Sequence, residues 1–153
     1  MFQNHTASDT QADGLTHSSI WCIVKDNQGT LWLGTYFGGV NYFNPEYEIY
    51  TRYSYSSNEK KGLSNPVVGR TIEDKDGNLW IGTEGGGLNY YNRRTREFKW
   101  YRPQEGRNSI SHNNVKALYY DADKEIIWIG THLGGLNKLD IRSGHFTLSL
   151  IHI

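Results

Sequence analysis

Cysteine is nearly missing from this 153-residue chain: Cys22 stands alone. A single thiol excludes an internal disulfide and a metal site built from cysteines. Proline is scarce as well, with 3 residues. No stretch approaches the roughly 18 consecutive apolar residues of a membrane helix. The opening residues Met1, Phe2, Gln3, Asn4 and His5 lack the basic region and apolar stretch of a signal peptide. An excess of charge is absent too, because 16 Lys and Arg stand against 16 Asp and Glu. That balance argues against nucleic acid as a partner, since binding phosphates requires a basic face. It argues equally against a polybasic contact with a membrane surface.

What the chain does have is aromatic residues and glycine: 11 Tyr, 5 Trp, 5 Phe and 17 Gly. Such a composition favours strands and tight turns over helices, and no apolar period of 3.6 residues appears. The residues also recur. Trp32-Leu33-Gly34-Thr35 returns as Trp80-Ile81-Gly82-Thr83 and again as Trp128-Ile129-Gly130-Thr131, each step 48 residues (32, 80, 128). Gly38-Gly39, Gly86-Gly87 and Gly134-Gly135 keep that step, as do Asn41, Asn89 and Asn137. Phe2, Tyr50, Phe98 and Phe146 hold the same phase. A fixed period of roughly 20–50 residues is the signature of a repeat architecture.

The middle copy is the clearest. Residues 67–74 read as a strand, and 74–78 as a turn in which Asp bonds locally and Gly supplies positive φ. Residues 79–83 form an almost continuous apolar run, the pattern of a strand covered on both faces. A turn at 84–86, a strand at 87–92, a turn at 93–96 and a half-exposed strand at 97–101 follow, with a polar link at 102–108. One such sheet cannot bury two apolar faces alone, whereas sheets stacked around an axis can. The expected fold is therefore all-β: a partial β-propeller of three four-stranded antiparallel blades at 14–61, 62–108 and 109–147. The phase of Phe2 adds one strand of a preceding blade, with its link, at 1–13. Trp32, Trp80 and Trp128 read as packing residues. Gly34, Gly82 and Gly130 read as places where a neighbouring strand or sheet approaches closely. The third copy carries one more residue between Asp121 and Trp128 and a shorter link before it, as tolerant turns on a fixed sheet would.

Chemistry is sparse. The turn at 74–78 lacks the Gly and Glu spacing of a helical calcium loop. The six histidines show no metal-ligand spacing, and Glu73, Glu84 and Glu97 fall on different elements. No catalytic group, metal or cofactor is expected, and the chain is not read as an enzyme. Arg93, Arg94, Arg96, Lys99 and Arg102 read as a solvated turn and edge. Binding is better supported by the loops between second and third strands. There Tyr36, Phe37, Glu84 and His132 vary while the flanking Gly-Thr and Gly-Gly stay fixed. Aromatic faces stack on sugar rings, and carboxylate or imidazole groups bond hydroxyls, so these four are the candidate ligand residues.

Gly62-Leu63-Ser64-Asn65, Ile72-Glu73-Asp74-Lys75-Asp76-Gly77, Leu79-Trp80-Ile81-Gly82-Thr83 and Gly86-Gly87-Leu88-Asn89 together resemble the two-component regulator propeller repeat. The first copy matches through Gly14-Leu15-Thr16-His17, Asp26, Gly29, residues 31–35 and Gly38-Gly39. The third matches through Ser111-His112, Asp121, residues 128–131 and 134–137, though its turn lacks the Gly after Asp. The resemblance implies the periplasmic sensor region of hybrid two-component systems of Bacteroidetes. Their members signal to a histidine kinase, which this chain does not contain, and many sense oligosaccharides. The expected partners are an oligosaccharide, the remaining blades of the parent chain and a second copy of the parent. Protein-interaction propellers and propeller lyases or hydrolases are the alternatives. Three blades fall short of the roughly 4–8 that close a ring, so a segment of a larger ring is expected, with open edges that favour self-association. The last six residues, 148–153, match the translation of a sequencing adapter and are expected to be a non-native tail.

Overall fold

A computed structural model describes residues 1–7, 14–47 and 49–149. It contains three four-stranded antiparallel sheets, each running in chain order from its first strand to its fourth. The first blade holds β1 (Ile20–Lys25), β2 (Leu31–Thr35), β3 (Val40–Asn44) and β4 (Ile49–Tyr53). The second holds β5 (Val68–Glu73), β6 (Leu79–Thr83), β7 (Leu88–Asn92) and β8 (Glu97–Tyr101). The third holds β9 (Val115–Asp121), β10 (Ile126–Thr131), β11 (Gly135–Asp140) and β12 (Phe146–Ser149). A single turn of 3-10 helix, Glu59–Lys61, interrupts the link between the first two blades. No pattern in the residues marks it, because three are too few to show a period.

Alternation along each strand sorts the side chains between the two gaps. Trp32, Val40, Cys22, Val24, Tyr42 and Tyr53 of the first blade meet Val68, Leu79, Ile81, Tyr91 and Phe98 of the second. Trp80, Leu88, Ile72, Tyr90 and Tyr101 on its opposite face meet Val115, Ile127, Ile129, Leu139 and Phe146 of the third. Trp32 and Trp80 are each 2% exposed and so lie inside a gap. Trp128 alternates away from Ile127 and Ile129, and is only half-buried on the far face of the third blade. Leu136 shares that face and is 42% exposed, where its counterparts Val40 and Leu88 are fully buried.

The repeated small and polar residues act as joints. Asn41, Asn89 and Asn137 are buried, and each accepts from the backbone N–H of Thr16, Ser64 or Ser111 through Oδ1 at 2.9–3.0 Å. Each returns a bond from Nδ2 to the same residue's hydroxyl at 2.6–2.7 Å. This latch fixes the loop that enters each blade against its third strand. Gly34 and Gly82 sit where the next blade presses in. A methyl on Gly34 would stand 2.8 Å from Val68 Cγ1, and one on Gly82 2.6 Å from Val115 Cγ1. A methyl on Gly130 would meet only Ala117 of its own sheet, at 3.2 Å.

One expected element is not seen among the described residues. Residues 1–7 carry no strand, and Phe2 lies fully exposed. A strand needs a ladder partner for its N–H and C=O groups, and among the described strands none pairs with this segment. His5 instead lays its ring 5.5 Å from that of Phe43 and 6.3 Å from that of Tyr50. The rest of the expected first segment, 8–13, lies outside the described residues. So do 150–153 of the expected tail, while Leu148 and Ser149 pair with Asn137 and Leu136 in the third sheet.

Candidate functional site

The three sheets present their first strands, β1, β5 and β9, side by side. Each carries a bulge near its start. The register to the second strand slips between Ile20 and Cys22 and between Val68 and Arg70. It slips again where Val115 and Ala117 face Thr131 and Gly130. The skipped residues are Trp21, Gly69 and Lys116, which occupy one position of the repeat. A bulge leaves its extra residue outside the ladder and re-aims the side chain. Beside each bulge the loop after the second strand returns. Tyr36, Glu84 and His132 each donate a backbone N–H, at 2.9–3.0 Å, to Ser19, Val67 and Asn114.

These two sets of residues outline a groove of about 340 Å³. Trp21 forms one wall, Glu84 and Lys116 the other, and Gly69 lies between them with Arg70 alongside. The Trp21 ring is 39% exposed and lies 5.0 Å from that of Tyr36. Glu84 and Lys116 form an ion pair across the second and third blades. Arg70 is exposed, and its guanidinium donates to the carbonyl of Gly69 at 3.1 Å. The absent side chain at Gly69 opens the middle of the groove, since a methyl there would come to 4.0 Å from the Trp21 ring.

Of the four candidates, Glu84 lines the groove directly and Tyr36 backs Trp21. Phe37 is exposed and touches the site only through Tyr36, at 6.0 Å between rings. His132 stands apart on the third blade, 6.5 Å from His112. Four contributors escaped the sequence reading: Trp21, Gly69, Arg70 and Lys116. The signal for three of them was partly present, because corresponding positions 21, 69 and 116 read Trp, Gly, Lys, the last interval being 47 rather than 48 since the link before the third copy is one residue shorter. Only the bulge, a backbone feature, shows that this position faces the groove. His17 and His112 differ from these. Each accepts on Nδ1 from the N–H two residues on, at 3.0 Å, as Asn65 does at 2.9 Å through Oδ1. That bond makes them loop caps.

The first two turns before the second strands also earn a role. Asp26 Oδ2 accepts from the Trp32 indole at 2.9 Å, and Asp74 Oδ2 from the Trp80 indole at 3.0 Å. Their Oδ1 atoms each take two backbone N–H groups of the same turn. Asp121 in the third blade instead takes the N–H of Lys124 at 3.2 Å through Oδ1, and its Oδ2 lies 3.6 Å from the Lys124 ammonium. The inserted residue there displaces the corner that would otherwise grip Trp128.

Comparison with known proteins agrees with this geometry. The two component regulator propeller family matches residues 14–37, 62–85 and 109–132. Each of the three blades thus carries a stretch that matches a two component regulator propeller repeat. It is similar to the extracellular domain of the hybrid two component system BT3049 of B. thetaiotaomicron, at 28% identity and a TM-score of 0.75. That match covers 86% of this chain and 18% of the other. The extracellular domain of BT4673 from the same organism aligns with a TM-score of 0.77 at 20% identity, over 94% of this chain and 20% of its own. The chain therefore spans about a fifth of the length of these relatives. Virginiamycin B lyase of Staphylococcus aureus shares the fold, with a TM-score of 0.63 at 13% identity over 84% of this chain and 40% of its own. No curated protein sequence matches significantly.

Proposed function

We propose that this segment belongs to the periplasmic sensing propeller of a hybrid two-component system, and that its groove takes an oligosaccharide. Occupancy would be relayed through the blades to a histidine kinase outside this chain. The supporting observation is the half-exposed Trp21, braced by Tyr36 and facing the Glu84–Lys116 pair across Gly69. An aromatic wall stacks on the apolar face of a sugar ring, while a carboxylate and an ammonium bond its hydroxyls. Three blades contribute to one groove, so a bound sugar would change how they sit together, which is a means of transmitting occupancy. The blade limits 14–61, 62–108 and 109–147 belong to the same proposal.

The test is titration of the chain with plant and host oligosaccharides, followed by Trp fluorescence and calorimetry. Trp21→Ala is expected to weaken binding at least about tenfold, the worth of one stacked ring at about 1.4 kcal/mol. Its melting temperature should be little changed, because the ring is partly exposed. Undiminished binding by Trp21→Ala, or no sugar bound by the wild-type chain, counts against the proposal.

A further inference from the structure

The gap between the first two blades opens at its outer rim into a cavity of about 460 Å³, distinct from the groove described above. Its floor is aromatic. Tyr53 stacks on Trp32 at 5.5 Å between ring centroids, and Trp32 packs on Tyr42 at 4.4 Å. Lys61, Arg93 and Arg96 line it with Thr51, and no carboxylate does. Arg93 is committed elsewhere, since its guanidinium lies 3.2 Å from Asp26 and 3.8 Å from Glu73. Lys61 and Arg96 are both exposed, and neither has an acidic partner among the described residues. The two hydroxyls of Tyr53 and Tyr91 lie 3.2 Å apart. Burial holds the Tyr53 phenol far above its ordinary range, so it stays a neutral donor.

The repeat supplies its own control. One step along the chain, Lys61, Arg93 and Arg96 become Ser109, Ile141 and Gly144, while Tyr53 and Phe98 become Tyr101 and Phe146. There Ile141 fills the gap against the neighbouring blade. The aromatic frame is common to both gaps apart from Tyr91, whose counterpart is Leu139, so it accounts for packing. These three cations belong to one gap only, while the Thr51 position carries Lys99 in the other, 5.0 Å from the Tyr101 ring. Arg93 accounts for itself by pairing with Asp26, but nothing in the packing requires Lys61 and Arg96. Lys61 is brought to the rim by the 3-10 turn, which Asn58 caps at 3.1 Å and which is tied to the second blade's outer strand through Glu59 and the Trp100 N–H at 2.6 Å. Arg96 holds a left-handed backbone, φ 60, in the turn before that strand. Left-handed backbone is uncommon outside glycine, and its counterpart Gly144 is glycine.

We propose that this rim cavity is a second ligand site, for an acidic monosaccharide unit. Its carboxylate or sulfate would meet Lys61 and Arg96, while its ring lies on the face of Tyr42 and Tyr53. A guanidinium bonds such oxyanions with paired donors, and an ammonium adds charge without fixed geometry. The volume suits one ring with its acidic group. The site is independent of the groove at the bulges, and either can exist without the other.

Calorimetry and ring-proton shifts of Tyr42 and Tyr53 test it, using glucuronate, glucose 6-sulfate, glucose and sodium sulfate as probes. Glucuronate or glucose 6-sulfate should bind at least about tenfold tighter than glucose, and also tighter than free sulfate. Lys61→Gln with Arg96→Gln should abolish that preference and leave the melting temperature unchanged, because both side chains are exposed. Binding of glucose as tight as glucuronate would overturn the proposal. So would a preference for free sulfate, or full acidic-sugar binding by the double variant. Trp21→Ala should leave this binding untouched, which separates it from the groove.

Discussion

The two gaps between blades share a scaffold and are filled differently. The second is dry at its core: Ile141 joins Ile127, Ile129, Leu139 and Phe146 there. Its charges lie outside, where Glu125 of the third blade pairs with Lys75 of the second and with Arg142. The first gap has Arg93 in the place of Ile141. Arg93 reaches back to Asp26, whose side chain is fully buried, and to Gln28 at 3.1 Å. Its guanidinium also lies 5.6 Å from the Trp32 ring and 5.9 Å from that of Tyr42. The sequence reading had Arg93 in a solvated turn. It is a clasp across the gap instead, because the neighbouring blade supplies the carboxylate and the aromatic faces. A constant frame can therefore be joined by hydrophobic filling or by a buried cation, and the cation leaves a polar, hollow rim behind.

The largest test of this comparison uses the indoles. Trp32→Ala and Trp80→Ala each empty a filled gap and should cost about 3–5 kcal/mol in urea unfolding. Trp128→Ala, half-buried and without the Asp corner, should cost less than about 2 kcal/mol. Equal costs at all three would show that burial within a gap does not set their worth. Next comes the clasp. Arg93→Ala leaves Asp26 buried without its cation, and should cost about 3 kcal/mol, the low end for a broken buried pair because Arg93 is partly exposed. Arg93→Ile copies the second gap, and should recover less than half of that loss while Asp26 remains. A neutral Arg93→Ala would reduce the clasp to a surface contact.

A smaller difference is expected at the close approaches. Gly34→Ala forces a methyl against Val68 of the next blade and should cost about 1–3 kcal/mol. Gly130→Ala meets only Ala117 and should cost less than about 1 kcal/mol. The smallest effect is a pH dependence of opposite sign in the two gaps. Lys75 and Arg142 hold the Glu125 carboxyl below its ordinary value of 4.5. Its contribution is thus present above that value and is lost as pH falls through the lowered one. Burial chiefly raises Glu73 above the same reference, so the folded state favours its protonated form and its strain grows as pH rises through the raised value. Glu125→Gln should flatten the acid side of a stability–pH curve, and Glu73→Gln should raise stability near neutrality. Matching slopes in the two variants would erase this distinction between the gaps.

The chain order of strands was legible in advance because two periods coincide in it: alternation within strands and the 48-residue step between blades. Tight turns with Asp and Gly marked the corners, and the constant Asn and Gly marked joints whose partners could not yet be named. The candidate site was half legible. Tyr36 and Glu84 stood out as variable residues on a constant loop; Glu84 lines the groove and Tyr36 braces its Trp21 wall. Trp21 and Lys116 did not, since a residue in a strand points wherever the register sends it, and a one-residue bulge is invisible to periodicity. His132 looked equivalent to Glu84 by phase, yet it lies beyond the groove because its neighbours belong to the third blade alone.

By itself, the sequence determined the fold class, the number of sheets and the identity of the repeat. Each follows from short-range pattern: strand alternation, turn chemistry and a fixed step. The tertiary structure decided what each copy of a repeated residue is worth. Trp32 and Trp128 are the same letter in the same phase, and only the presence of a facing blade buries one and leaves the other half open. Arg93 and Ile141 occupy the same position too, and what lies across the gap makes one a clasp and the other a filler. Burial and electrostatic pairing depend on the neighbour in space, which the repeat alone does not specify.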